Sequence, residues 1–464
     1  MSFPKDFVWG AAAASYQIEG AAGEDGKGLS VWDMFCQKPG TVWNGHTGDV
    51  ACDHYHLYKE DVALMKDLGL QAYRFSISWP RILPEGIGAV NPNGLDFYDR
   101  LIDELLAANI APYITLFHWD YPYELYRKGG WLNPDSPAWF AEYTQVVVDK
   151  LSDRVRNWMT FNEPQVFIGL GHQEGRHAPG DRLEFAQVLK AGHNMLLAHG
   201  KSVQMIRAHS KTSSQVGYAP VGLVKAPATE QIEDIEAARQ ATFSVTGRHW
   251  RQTIFDMTKK SCWNNTWWID PVILGHYPED GVKLFERDMP DIRDGEMDTI
   301  CQPLDFLGLN IYFGWKVQAG ENGQPEEVVP PAGYAQTASR WVVMPEVLYW
   351  GPKFFWERYQ VPIMITENGM SNIDWIALDA KVHDPQRIDF LHRYLLQLQK
   401  ACEDGVDVRA YFQWSIMDNF EWAEGYRERF GLVYVDYPTQ RRILKDSAYW
   451  YKDLIASNGA ALTQ

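Results

Sequence analysis

Eight short apolar runs alternate with helical stretches along this chain, and that rhythm constrains its fold more than any other feature. The clearest run holds Val361, Ile363, Met364 and Ile365, nearly continuous in the way a strand buried on both faces of a parallel sheet reads. Runs of the same kind occupy 7–14, 72–79, 111–117, 157–161, 215–220, 304–313 and 408–415. Helical periodicity is read over 53–69, 94–108, 137–151, 185–208, 229–259, 345–359, 385–403 and 447–455. Eight strands separated by helices, with right-handed crossovers, close most simply as an α/β fold: one (β/α)8 TIM barrel with long βα loops, a single domain over 1–464. A doubly wound open sheet is the alternative, and it calls for edge strands more polar than these. Two stretches lack periodicity. Residues 262–268 are expected as a Trp-rich connection and 319–339 as a long surface loop.

Composition narrows the partners. A formal net charge of −17 without any Lys/Arg block argues against nucleic acid or an anionic membrane. No run approaches ~18 uninterrupted apolar residues, and the N-terminus lacks the charged and apolar regions of a secretory signal. The five cysteines, Cys36, Cys52, Cys262, Cys301 and Cys402, make no CxxC pair or metal-finger spacing. Free thiols in a reducing compartment are the simplest account, so a cytoplasmic protein is expected. Twenty Trp serve either a large core or flat platforms for sugar rings. Nothing in the sequence sets an oligomeric state.

In a barrel of this kind the carboxyl ends of the strands converge on one mouth, where ligands bind. Pooled, those ends give Gln17, Arg74, His118 beside Trp119, Asn162, Glu163, Asn310, Tyr312, Glu367 and Trp414, with Glu421 shortly beyond. Glu163 closes the fourth strand and Glu367 the seventh, where Gly369 is expected to turn the chain. Two carboxyls among amides, hydroxyl-binding groups and Trp faces fit cleavage of a glycosidic bond. One carboxyl must be protonated to help the leaving oxygen depart, and the other ionised to meet the oxocarbenium-like centre. Arg74 and Tyr312 are expected to hold Glu367 ionised. Glu163, facing that charge without a cation of its own, is expected to have a raised pKa.

Other chemistries find no footing. His54 and His56 open a helix, where residues two apart face different ways, so no metal is assigned. The Gly-rich stretch 20–28 has Ala21 where a phosphate loop needs Gly and no Ser or Thr after Lys27. No Gly-x-Ser-x-Gly elbow or dinucleotide fingerprint occurs, and no cofactor is expected.

These strand ends resemble the motifs of family 1 glycoside hydrolases, the β-glucosidase family, from Phe7 to about Tyr451. Phe7-Val8-Trp9-Gly10 leading to Ser15-Tyr16-Gln17-Ile18-Glu19-Gly20 is similar to the family's N-terminal signature, and Arg74 to Trp79 to its second strand. Thr160-Phe161-Asn162-Glu163-Pro164 resembles the acid/base motif and Ile365-Thr366-Glu367-Asn368-Gly369 the nucleophile motif. Trp414-Ser415, Asn419-Phe420-Glu421-Trp422 and Arg429-Phe430-Gly431-Leu432 resemble the end that grips the glycone.

The resemblance implies a retaining exo-β-glucosidase acting on β-glucosides and small oligosaccharides. Glu367 would form the glycosyl-enzyme, and Glu163 would act first as acid and then as base. A retaining pair stands about 5–5.5 Å apart. Asn162 would bind the 2-hydroxyl. Gln17, His118, Trp119, Glu421, Trp422 and Phe430 would line the sugar, with Trp414 under the ring. Asn310 and Tyr312 would support the nucleophile. Enzymes for 6-phosphorylated sugars carry Ser where this chain has Glu421, so free sugars are favoured. Gln165 replaces a Trp of many relatives and is expected on the leaving-group side with Trp341. Transglycosylation and a non-catalytic sugar-binding role are the competing expectations.

Overall fold

The computed structural model describes residues 2–246 and 260–463. Eight parallel strands close a barrel: β1 (Val8–Ala12), β2 (Ala72–Ser76), β3 (Ala111–Phe117), β4 (Asn157–Asn162), β5 (Gln215–Ala219), β6 (Phe306–Asn310), β7 (Ile363–Asn368) and β8 (Val408–Trp414). Each strand neighbours the next in sequence, and β1 completes the ring by pairing with β8. The alternation of apolar runs thus becomes a closed sheet, and the open-sheet alternative falls. β2, β6 and β7 are buried along their whole length because helices cover them outside and side chains fill the barrel inside.

The covering helices follow the expected periodicity. Helix Pro92–Ala107 buries Phe97, Leu101, Ile102 and Leu105 at i, i+4, i+5 and i+8, while Leu106 points to solvent. Helix Ser136–Leu151 packs along helix Phe185–His209. Of the helix expected over 229–259, the described part is Ile232–Phe243, and residues 247–259 lie outside the described residues. The expected connection at 262–268 is partly helical instead. Asn264 Oδ1 accepts the Trp267 N–H (2.8 Å), and helix Thr266–Ile273 buries Trp267 and Trp268. The expected surface loop at 319–339 is also partly ordered into a sheet. Gly314–Ala319 pairs antiparallel with Pro325–Glu327 and parallel with Val224–Pro227. Neither correction was visible as periodicity, because each element is too short to show one.

Two local irregularities matter for the mouth of the barrel. On β7 the pairing with β6 skips Thr366, passing from Ile365 opposite Leu309 to Glu367 opposite Asn310. On β4 the pairing with β5 gains one residue between Met159 and Asn162. A bulge re-aims the side chains beyond it, and both bulges lie just before a glutamate. Gly369 has a different task from the expected turn. A Cβ there would lie 2.0 Å from the Trp414 carbonyl oxygen, so the residue lets β7 and β8 approach.

Candidate active site

The carboxyl ends of the strands open into a cavity of about 200 Å³ whose lining includes His118, Trp119, Glu163, Asn310, Tyr312, Trp341, Glu367, Trp414, Glu421, Trp422 and Phe430. Behind this surface lie Gln17, Arg74 and Asn162, all fully buried. Fourteen of the fifteen residues singled out from the sequence therefore line the mouth or back it.

Gln165 is the exception. Its side chain is buried and turned to the backbone, accepting from Val221 N–H (3.2 Å) and donating to the Val221 carbonyl (3.1 Å). It is absent from the cavity wall because its amide is a mimic of backbone pairing at the end of β5, and the expectation of a leaving-group contact is corrected. The wall there is built from Val166, Leu170, Val221, Leu223, Trp263 and Phe313 instead. Val221, Leu223, Trp263 and Phe313 belong to loops, and Val166 and Leu170 to two helical segments after β4 that are too short to show periodicity; only the Trp-rich composition around Trp263 hinted at them. Five Trp, 119, 263, 341, 414 and 422, line the cavity. Trp9, Trp32, Trp79, Trp131, Trp158, Trp267 and Trp268 are instead fully buried, so packing takes the larger share.

Glu367 is held from both sides. Arg74 Nη1 donates to Oε1 at 2.7 Å and the Tyr312 hydroxyl to Oε2 at 2.6 Å. Arg74 is itself fixed by the Thr366 carbonyl (2.9 Å), Thr115 Oγ1 (3.2 Å) and Asn162 Oδ1 (2.6 Å). Among the described residues Glu163 receives one side-chain bond, from Asn310 Nδ2 to Oε1 at 2.9 Å. Asn310 also donates to Asn162 Oδ1 (3.0 Å) and accepts from Thr366 Oγ1 (2.6 Å), which fixes the orientation of its amide. A chain of hydrogen bonds therefore runs Glu163–Asn310–Asn162–Arg74–Glu367.

The two carboxyls differ in charge environment. Burial, then the charge of Glu367, pushes the Glu163 carboxyl up to about 8, against the Asn310 bond and the more distant Arg74. Desolvation leads here, ahead of the like-charge repulsion emphasised from the sequence. Burial also raises Glu367, while Arg74 and Tyr312 pull it back down. Glu367 is thus the member of the pair that gives up its proton first.

The end of the cavity expected to take the sugar is a neutral, aromatic and amide-rich surface. Burial, then Arg74, holds His118 well below its ordinary pKa, so it is neutral. Its Nε2 accepts from Asn162 Nδ2 (3.0 Å), because Asn162 Oδ1 is already committed to Arg74 and Asn310. His118 lies between Trp414 and Trp422, at 5.7 and 5.9 Å. Gln17 sits in the short helix Ser15–Ile18 just after β1, where it donates to Asn419 Oδ1 (3.0 Å), the Phe420 carbonyl (2.7 Å) and Glu421 Oε2 (3.4 Å). Among the described residues its buried Oε1 has no hydrogen-bond partner. Burial and the charges of Glu428, Glu367, Glu163 and Glu424 drive the Glu421 carboxyl well up.

Three residues at the mouth, Glu163, Trp119 and Trp422, adopt left-handed φ of 46°, 81° and 48°. Each costs on the order of 1–3 kcal/mol, and such strain collects where side-chain aim matters. The His54–His56 pair behaves as the helical geometry dictates: His54 binds Asp61 (2.7 Å), while His56 binds Asp53 (2.5 Å) and Glu24 (3.1 Å).

The comparisons with known proteins agree with this geometry. The pattern described as Glycosyl hydrolase family 1 matches residues 1–460. A 1,4-beta-D-glucan glucohydrolase of Thermotoga neapolitana is 45% identical over 98% of this chain and 99% of its own. Beta-glucosidase A of Acetivibrio thermocellus is 44% identical over 99% of each chain. The structure of a beta-glucosidase from Thermotoga maritima in complex with glucoimidazole superposes with a TM-score of 0.87 at 44% identity, covering 99% of both chains. On its full-length pattern, its closed barrel and its whole-chain relatives, this chain belongs to glycosyl hydrolase family 1.

Proposed function

We propose that this protein is a retaining exo-β-glucosidase that removes terminal β-D-glucosyl residues from β-glucosides and small oligosaccharides. The observation that carries the proposal is the asymmetry of the two carboxyls. Glu367 is gripped by a cation and a phenol, while Glu163 is bonded, among the described residues, by an amide, and its carboxyl is pushed up to about 8. In the first step Glu367 attacks the anomeric carbon, the glycosidic C–O bond breaks, and the Glu163 proton passes to the leaving oxygen. In the second step Glu163, now ionised, takes a proton from water. That water displaces Glu367 from the sugar and regenerates both groups.

In this reading Asn162 binds the 2-hydroxyl beside the reacting carbon. Gln17, His118, Glu421 and Trp422 take the remaining hydroxyls, Trp414 carries the ring, and Trp341 meets the leaving group. Galactosides are accepted as weaker substrates, because Gln17 and Glu421 can bind either epimer at the 4-position. We place the protein in the cytoplasm on its five unpaired thiols. Among the described residues no helix is long and apolar enough to cross a membrane.

Nitrophenyl β-glucoside, β-galactoside and β-glucoside-6-phosphate, assayed side by side, test the proposal. Strong, weaker and no turnover, in that order, are expected. Activity confined to the phosphorylated sugar would overturn the role given to Glu421, and silence on all three would overturn the function. Transglycosylation is a second reading favoured by the apolar wall of Val166, Leu170, Leu223 and Trp263, which offers an alcohol acceptor a surface. The ratio of transfer product to free glucose at high acceptor concentration separates the two.

A further inference from the structure

The segment after β8 that carries Glu421 ends near the loop that carries Trp341, and one buried carboxylate joins them. Glu428 is 4% exposed. Its Oε2 accepts from Ser339 Oγ (3.0 Å) and its Oε1 from Arg427 Nε (3.1 Å). Ser339 N–H donates to Ser371 Oγ (2.8 Å), and the two hydroxyls lie 2.7 Å apart. With Ser339 O–H committed to Glu428, the Ser371 hydroxyl must donate to Ser339, so the bonds run in one direction: Ser371, Ser339, Glu428. Ser371 follows β7 and is fully buried, which gives the relay a rigid origin.

Two residues beyond Ser339, Trp341 packs on Tyr312 and Phe430 at 5.2 and 5.8 Å between ring centres. Ser339, Trp341 and Glu428 line the main cavity and also a side cavity of about 630 Å³ whose lining adds Ala338, Arg340 and Ile373. The Ser339–Glu428 bond therefore stands in the partition between the two spaces.

We propose that Glu428 is a positioning residue for the leaving-group platform: acting through Ser339, it holds the Trp341 loop against the glycone-binding segment. This rests on the β-glucosidase proposal and on the place given there to Trp341. Ground-state grip on the leaving group depends on the latch, whereas proton donation and nucleophilic attack do not. Breaking it therefore moves KM more than kcat.

The experiment compares wild type, Glu428→Ala, Glu428→Gln, Ser339→Ala and the Glu428→Ala/Ser339→Ala double variant on cellobiose. Expected are a KM raised about five- to tenfold in each Ala variant with kcat within about twofold, near-normal kinetics in Glu428→Gln, which keeps an acceptor for Ser339, and a double variant no worse than either single. Additive effects, a kcat-dominated loss, or a silent Ser339→Ala would overturn the proposal. Should Glu428→Ala fail to fold, Ser339→Ala and Glu428→Gln decide it by the same criteria. Wild-type protein inert on every β-glucoside would sink the function rather than the latch. A crystal structure of Ser339→Ala then judges the latch, with Trp341 displaced from Phe430 supporting it and an unmoved Trp341 overturning it.

Discussion

Arg74 Nη1 lies 2.7 Å from Glu367 Oε1, with the two side chains 1% and 4% exposed. A buried cation so placed stabilises an ionised partner and is itself stranded if that partner is lost. Replacing Arg74 with Met removes the cation that lowers Glu367. The acid limb of the pH–activity profile is then expected to move to higher pH, with kcat/KM down by at least about 10²-fold. Steady-state rates from pH 4 to 9 check this, and an unmoved acid limb would contradict the pairing.

The wild-type profile itself is expected to be a bell of two macroscopic values. The proposed mechanism requires Glu163 protonated and Glu367 ionised. It falls as pH rises through the Glu163 value of about 8, and falls at low pH through a Glu367 value above its ordinary one. The sign for stability follows from the same shift. Between 4.5 and about 8 the folded state binds a proton at Glu163 that the unfolded chain has released, so stability at this site declines with rising pH. Glu163→Gln should therefore lose the basic limb and be more resistant to urea than wild type at pH 9, with the gap closing near pH 4.

Gln17→Leu leaves Asn419, the Phe420 carbonyl and Glu421 without their donor and deletes the free Oε1. An unmade buried bond costs about 1–3 kcal/mol. KM for nitrophenyl β-glucoside is expected to rise roughly tenfold or more, and equal KM values would remove Gln17 from the glycone site.

Gln165→Trp tests the corrected placement. The bulk has nowhere to go, and both bonds to Val221 are lost. A stability loss of about 1–3 kcal/mol by urea unfolding is expected, because overpacking is costly. A stable variant with only its leaving-group preference altered would restore the original expectation.

Lys445 sits fully buried between Asp374 and Asp418, 2.6 Å from each, under the segment that carries Glu421 and Trp422. Arg387 and Arg429 complete the cluster, at 2.9 Å from Asp374 and 2.6 Å from Asp418. Lys445→Met leaves Asp374 with Arg387 alone and Asp418 with Arg429 alone, removes one buried positive charge from the cluster, and is expected to cost about 3–5 kcal/mol, read from the urea midpoint. A loss under 1 kcal/mol would show the cluster to be dispensable.

The barrel was legible because short apolar runs such as 363–365 and 410–412 have no other economical use between helices. The two glutamates were legible because each interrupts such a run at its end. Gln165 misled because its place was carried over from relatives with Trp there, whereas Pro164 and the left-handed Glu163 backbone precede a side chain that bonds Val221 instead. The apolar wall from Val166 to Phe313 was invisible for a related reason. Most of its members come from loops whose shape is fixed by distant partners, such as Asn265 bonding Leu223 across 42 positions. Glu428 looked like one more acid beside Arg427 and Arg429, and only folding brings Ser339 to it.

The ring closure described for β1 has a consequence for biosynthesis. β1 meets β2 early, but its other edge waits for β8, with Gly10 opposite Phe412. At ~5–20 residues per second, a ribosome needs roughly 20–80 s to supply that partner. Throughout that interval the nascent chain carries an unsatisfied strand edge, a known route to aggregation. It also lacks Trp414, Glu421 and Trp422. Enzymatic activity therefore reports complete synthesis as well as correct folding, and holdase protection should matter most for chains stalled before residue 408.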